Sequence, residues 1–110
     1  MIEAKIRGLG RFYKDGTERI EIWVKKREAQ PLPYEEGERV PVKLVIGHKQ
    51  YEAGLRSTKD FDTVWFSPNV LDQNQNKDKL AYICKREGLL KNQTVNLHVD
   101  GKRITLLEEK

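Results

Sequence analysis

The chain has 110 residues, enough for one domain with a single core. Hydrophobic residues make up 37% and charged residues 35% of it, and the formal net charge of +4 is compatible with a polyanionic partner without requiring one. Cys84 is the only cysteine, which excludes an intrachain disulfide and, with only two histidines, argues against a structural zinc site. The opening Met1–Lys5 lacks the apolar region of a signal peptide, and no apolar run is long enough to span a membrane, so a cytoplasmic protein is expected.

Residues 1–27 predict a β-hairpin. Apolar and polar side chains alternate over Ile2–Arg7 and again over Ile20–Lys25, which is the period-two pattern of half-buried strands. Asp15–Gly16 between them supplies the positive φ that a tight turn requires. A glycine in the first strand, at Gly8 or Gly10, permits a bulge there.

Further strands are predicted after a connecting loop. Residues 28–38 contain two prolines and a short acidic cluster, and proline cannot donate to a central strand ladder. Alternation resumes over residues 40–46 and 51–55, which are joined by a predicted turn at residues 47–50. Thr63–Phe66 adds a short strand that Pro68 stops.

One helix is predicted over residues 77–87, with Asn76 as its N-cap and Gly88 as the residue that ends it. Its apolar face repeats at helical spacing and consists of Leu80, Ala81, Ile83 and Cys84. Residues 95–99 and 104–106 then alternate on either side of an Asp100–Gly101 turn. We expect the helix to pack into the same core as these strands and the earlier ones, against Val42, Leu44, Val95 and Leu97.

Strands that do not alternate with helices favour an antiparallel sheet, and about seven short strands are enough to close a barrel. The predicted fold is therefore mainly β: a small antiparallel β-barrel of about seven strands with one packed α-helix, forming a single domain over residues 1–110.

No catalytic set is recognisable, and neither a cofactor nor a metal is expected. Cys84 lies on the apolar face of the helix, where a thiol usually serves as a small hydrophobe. His48 is expected at a turn and His98 on the polar face of a strand, where either could act as a general base. Asp60 and Asp62 could bind a metal with a third ligand, although a solvated loop is the preferred explanation of both.

Polar and basic side chains indicate nucleic-acid binding instead. Arginine, lysine, asparagine and glutamine contact phosphates and base edges, and an outward tryptophan can stack on a base. The candidates fall in two polar loops, on the first hairpin and on one later strand. They are Arg56, Ser57, Thr58, Lys59, Asn74, Gln75, Asn76, Arg7, Arg11, Lys25, Arg27 and Trp65.

Each group of candidates also has a purely structural interpretation. Lys5 and Arg7 are expected beside Lys25 and Arg27 across the hairpin as a basic stripe, but interleaved glutamates would turn this stripe into a mixed, solvated face. The amide side chains Asn74, Gln75 and Asn76 could be solvated residues of the segment that precedes the helix. Trp65 could simply cover a sheet face.

The segment Gly54–Leu107 has the order extended segment, polar loop, short helix and hairpin. Within it, Lys85–Val95 ends a helix at glycine and enters a strand through a short polar turn. This arrangement resembles the DNA-binding pseudobarrel group, which includes plant B3 domains and the N-terminal recognition domain of EcoRII-type restriction enzymes. Those families often have Gly-Asp where Asn92–Gln93 stands here. The resemblance implies a curved barrel that grips the major groove of duplex DNA with two loop arms, the first at Arg56–Lys59.

The sequence therefore predicts a non-catalytic nucleic-acid-binding module, with duplex DNA as the expected ligand and no membrane partner. The alternative is a protein-interaction module, an accessory or inhibitor subunit that uses a charged sheet face. A third possibility is an enzyme or small-molecule binder whose site lies inside the barrel mouth, which a deep apolar pocket with converging polar groups would favour.

Overall fold

The computed structural model describes residues 1–108, which form nine strands and one α-helix. A single turn of 3-10 helix, Lys26–Glu28, follows the second strand. The elements in chain order are β1 (Ile2–Phe12), β2 (Glu18–Lys25), β3 (Arg39–Ile46), β4 (Lys49–Ser57), β5 (Thr63–Phe66), β6 (Asn69–Leu71), β7 (Lys77–Lys79), α1 (Leu80–Arg86), β8 (Thr94–Asp100) and β9 (Arg103–Glu108).

Seven of the strands close into a barrel. Their hydrogen-bonded order is β3-β9-β8-β1-β2-β5-β4, and β4 pairs back to β3 to complete the ring. All of these pairings are antiparallel except β3 with β9. The short β6 pairs with β4 and β7 pairs with β6, so these two strands form an extra hairpin beside the barrel. The predicted small β-barrel with one helix is confirmed.

The barrel interior is filled by the apolar residues of the alternating strands. Side chains from β1, β2, β4, β5 and β8 are fully buried there, among them Ile6, Ile22, Leu55, Phe66 and Leu97. The helix α1 packs against β2 and β7 and adds its apolar face to the same core. The prediction that this face points into the same core as the strands is confirmed, because Leu80, Ile83, Cys84, Val42, Leu44, Val95 and Leu97 all belong to one buried cluster.

The helix is shorter than the sequence pattern predicts. Residues 77–79, which we expected to form its first turn, are the strand β7, and the helix begins at Leu80. Asn76 is not its N-cap, since that position is Lys79 and no side chain caps the helix. The reason is a turn built on Asp72, whose Oδ1 accepts the backbone N–H groups of Asn74 and Asn76, both at 2.9 Å. This turn reverses the chain and pairs β7 with β6.

The helix end and the predicted glycine turns agree with expectation. Gly88 has a φ of 72°, and the N–H of Leu89 bonds the carbonyl of Cys84 at 2.8 Å, which is the hydrogen bond of a Schellman ending. Gly16 and Gly101 have φ values of 87° and 61° in their hairpin turns. Local sequence therefore determines where these segments reverse direction.

Candidate nucleic-acid interface

Five adjacent barrel strands place one outward residue each in a continuous row. Lys5 on β1 lies opposite Trp23 on β2, and Trp23 lies opposite Trp65 on β5. Trp65 is paired in turn with Arg56 on β4, and Arg56 with Arg39 on β3. Neighbouring strands are spaced about 4.8 Å apart, so this aromatic–basic row is about 19 Å long. It has two tryptophans at its centre and cations at both ends.

The cations of the row are free to meet a ligand. Lys5, Arg39 and Arg56 are exposed, and none of the three forms a salt bridge within residues 1–108. The guanidinium group of Arg39 lies over Gly54, where the Cβ of any other residue would collide with it. Glycine at that position therefore lets Arg39 lie flat on the sheet next to Arg56.

Trp23 is held by two neighbours on the same face. Its Nε1 donates a hydrogen bond of 2.8 Å to Oε1 of Glu21. The guanidinium carbon of Arg7 lies 5.1 Å from the ring centroid, which is within the range of a cation–π contact. Partial burial raises the pKa of Glu21, and the bond from Trp23 and the charge of Arg56 oppose this rise. A half-buried carboxylate thus lies within the basic surface.

Trp65 borders the loop between β4 and β5. The exposed Phe61 in this loop packs edge-on against Trp65, with ring centroids 6.2 Å apart. Lys26 holds the loop to the end of β2, because its ammonium group donates to the carbonyl of Thr58 at 2.8 Å and pairs with the Glu36 carboxylate at 3.1 Å. The anchored loop extends the aromatic surface by a third ring.

The structure brings several of the predicted residues to this face. Arg56 and Trp65 belong to the row, and Arg7 contacts it through Trp23. Lys25 pairs with Thr63 at the end of β2, two residues beyond Trp23. Arg27 follows in the 3-10 turn, where an open pocket of ≈480 Å³ is lined by Lys25, Lys26, Arg27 and Asp62. The exposed Lys59 belongs to the anchored loop beside this pocket.

The first predicted polar loop, Arg56–Lys59, is only partly a loop in the structure. Arg56 and Ser57 are not loop residues, since both belong to β4 and pair with Trp65 and Val64. Ser57 faces the core with 1% exposure, so it does not reach the outer surface. The Oγ1 of Thr58 is also buried and has no hydrogen-bond partner in the described residues. The expected arm Arg56–Lys59 thus contributes Arg56 and Lys59 to the surface.

Two other groups of predicted residues lie away from the row. They are the second polar loop, which contains residues 74–76, and the outer part of the first hairpin, which contains Arg11. Asn74, Gln75 and Asn76 are exposed in the β6–β7 turn, and β6 joins β4 at Glu52, four residues from Arg56 along the strand. Arg11 lies on β1 within the irregular stretch between Gly8 and Phe12. These predicted residues therefore do not form one surface with Trp65.

Of the two interpretations of the first hairpin, a basic stripe and a mixed face, the register favours the mixed face. Lys5 lies opposite Trp23 and Arg7 opposite Glu21, while Lys25 pairs on its other side with β5. The residues directly opposite the two β1 cations are therefore an aromatic and an acidic one. The basic surface instead crosses the strands, with an aromatic centre.

Sequence analysis missed Trp23, Arg39 and Phe61 as candidates. Trp23 carries the same signal as Trp65, an aromatic residue between two inward apolar ones, and could have been found by that pattern. Arg39 and Phe61 lie at a strand start and in a loop, where no periodicity marks them.

Other potential reactive groups do not converge. Burial raises the pKa of the Cys84 thiol to about 11, so this thiol is protonated and unreactive at neutral pH. His48 is exposed in the turn between β3 and β4, and His98 is exposed on β8. An open pocket of ≈700 Å³ lies between the β6–β7 and β8–β9 turns, with side chains of both charge signs around it, among them Lys43, Asp72 and Arg103.

Within residues 1–108, no cluster of three or more histidine, cysteine or acidic side chains is arranged to hold a metal ion. No helix in this part of the chain combines the length and the apolar content needed to cross a membrane. Comparisons of the chain with protein-family models, curated proteins and solved structures found no match.

Proposed function

We propose that this protein is a non-catalytic nucleic-acid-binding module whose ligand lies along the aromatic–basic row. The observation that carries the proposal is the cross-strand register that puts Trp23 and Trp65 between Lys5, Arg39 and Arg56, three cations that form no salt bridge in the described part of the chain. Phosphates supply charge for the cations, and bases supply flat apolar faces for the rings. Duplex DNA is the ligand that the pseudobarrel resemblance implies, and the proposal covers duplexes and single strands.

The charge distribution around the row supports a polyanionic ligand. Arg7 and Lys25 flank the row, and Lys59 and Arg27 lie at the end where β2 stops. Glu21 is an acidic residue that contacts the row, and its Oε1 accepts the hydrogen bond of Trp23. Clustering of cations on one face makes a net charge of +4 more effective than the same charge spread evenly.

The test is a salt titration of binding with two matched double variants. Arg39→Ala/Arg56→Ala removes two cations from the row, whereas Lys77→Ala/Lys102→Ala removes two exposed cations from the β7 and β8–β9 regions. Both variants have the same net charge. Binding of labelled oligonucleotides is measured by fluorescence anisotropy between low and moderate salt.

The row variant is expected to bind more weakly and with a smaller salt dependence. Counterion release contributes about 0.7 to the logarithmic salt slope per phosphate for single strands and about 0.9 for duplexes. Loss of two phosphate contacts should thus reduce the slope by about 1.4 for a single strand and by about 1.8 for a duplex. The control variant should keep the wild-type slope. Equal effects of the two variants, or no binding by the wild type in low salt, would refute the proposal.

A protein-interaction module is the second candidate function. Tryptophan and arginine are the residues most enriched at binding hot spots, and Trp23, Trp65, Arg39 and Arg56 are adjacent here. The salt titration separates the candidates, because binding to a protein through an aromatic centre depends far less steeply on salt than phosphate binding does.

A further inference from the structure

Resting on the proposed function, we infer that the aromatic–basic row binds single-stranded nucleic acid in preference to a duplex. Unpaired bases stack on Trp23 and Trp65, and the phosphates lie on the cations at the two ends of the row.

Trp23 offers a ligand its ring and not its polar group. Tryptophan has one hydrogen-bond donor, Nε1, and in Trp23 this donor is bound to Glu21 at 2.8 Å. The side chain therefore has no group left with which to recognise a base edge in a duplex groove. What remains is the partly exposed ring, which can bind the face of a base and against which the Arg7 guanidinium also lies. In a duplex these faces are covered by the neighbouring base pairs, and in a single strand they are accessible.

The two tryptophans are direct neighbours across β2 and β5. Directly opposed residues on antiparallel strands have Cβ atoms about 4.5–5.5 Å apart, and Trp23 and Trp65 are such a pair. Phe61 packs edge-on against Trp65 and lies at the side of the row that faces the β4–β5 loop. A row of about 19 Å suits a short site, near the lower limit of about four nucleotides found for small barrel domains.

The shape of the face also disfavours a duplex. The row runs over the outside of a closed barrel, which is a convex surface, and it lies near strand ends at Arg39, Arg56 and Trp23. Base edges in a major groove are reached by a protruding helix or a two-stranded ribbon, and the row is neither. A flexible single strand can follow a convex surface, with its bases turned towards the protein.

The cations complete the site for a strand that crosses the sheet. Lys5 lies beyond Trp23 at one end, and Arg56 and Arg39 lie beyond Trp65 at the other, so phosphates on both sides of the stacked bases meet a positive charge. Arg7 lies against the Trp23 ring and adds a cation next to the stacking surface. A cationic surface combined with aromatic side chains that stack on bases is typical of proteins that bind single strands without strong sequence preference.

The two tryptophans are the only ones in the chain, so intrinsic fluorescence reports on the row alone. Oligo(dT), oligo(rU) and a random-sequence duplex, each of about 20 nucleotides per strand, are titrated at constant salt and followed by tryptophan quenching and by anisotropy of a label. Tighter binding of either single strand than of the duplex, with quenching, is the expected result.

Two variants test stacking directly. Trp65→Leu should weaken single-strand binding about 5- to 150-fold, which corresponds to the loss of one stacked base, and should leave the salt slope unchanged. Trp65→Phe, which keeps an aromatic ring, should recover much of this loss. The control is Phe12→Leu, a change at an aromatic residue that is 59% exposed at the tip of the first hairpin and should not alter binding.

The outcomes separate the inference from the function on which it rests. Duplex binding as tight as single-strand binding overturns the single-strand preference and leaves the proposed function intact. If Trp65→Leu binds with unaltered affinity while Arg39→Ala/Arg56→Ala loses affinity, stacking is overturned and the proposed function stands. Absence of binding to all three nucleic acids in low salt overturns both. If Trp65→Leu does not fold, as judged by circular dichroism, the wild-type quenching and the Trp65→Phe affinity decide the question.

Discussion

Truncation of Leu80 to alanine tests the packing of the helix against the barrel. Leu80 is the first residue of α1 and is fully buried, and its backbone N–H bonds the carbonyl of Pro68 at 2.9 Å. The substitution removes side-chain volume from the core and leaves this backbone bond in place. Alanine also has the highest helix propensity, so the helix itself is not weakened. The measured loss therefore reports on packing.

The expected loss is about 3–5 kcal/mol, the upper part of the range for buried leucine truncations. Burial of a complete leucine side chain contributes about 1.5–3 kcal/mol, and the cavity that remains adds a further penalty that grows with its volume. The barrel wall is closed by hydrogen bonds on all sides, so its strands cannot easily move inward to fill the space. A domain of this size has roughly 5–15 kcal/mol of stability, and the variant should still fold.

Equilibrium urea denaturation followed by tryptophan fluorescence and circular dichroism measures the free energy of unfolding. The matched control is Leu90→Ala, because Leu90 follows the same helix but is 69% exposed, and its truncation should change stability by no more than about 0.5 kcal/mol. A loss below about 1 kcal/mol for Leu80→Ala, or equal losses for the two leucines, would refute the packing described for α1.

Two further predictions concern the charge within the row and a turn. Burial raises the pKa of Glu21, so its ionisation destabilises the folded state at neutral pH, and this cost disappears as pH falls to the ordinary value of 4.5 and below. Glu21→Gln should therefore increase both the unfolding midpoint and the nucleic-acid affinity at pH values well above 4.5. Both gains should vanish below pH 4.5, and a gain that is independent of pH would contradict this explanation. Gly101 has a φ of 61°, so Gly101→Val should lower the free energy of unfolding by at least about 1–2 kcal/mol. Gly101→Asn should lower it much less, because asparagine tolerates positive φ. Equal losses in chemical denaturation would show that backbone strain is not the cause.

Most of the fold could be predicted because its signals are local. Alternation of apolar and polar residues selects strands, and a glycine that must adopt positive φ, as at Gly16 and Gly88, marks where the chain turns or a helix ends. The start of α1 could not be predicted in this way. Lys77–Lys79 carries no apolar pattern, and its pairing with β6 depends on a turn organised by the Asp72 side chain.

The candidate site depended on register, which no local pattern specifies. Alternation predicts that Trp23 and Trp65 point outward, and Arg56 is expected in a polar loop, but neither pattern shows which of these residues are neighbours. A shift of β5 by two residues against β2 would keep every inward side chain inside and separate the two tryptophans. Closure of the barrel, through pairing of β3 with both β4 and β9, sets this register and brings Arg39 into the row. The sequence alone thus determined the fold class and the residues available at the surface, whereas tertiary pairing decided which of them form one site, because contacts across a sheet join residues that are distant along the chain.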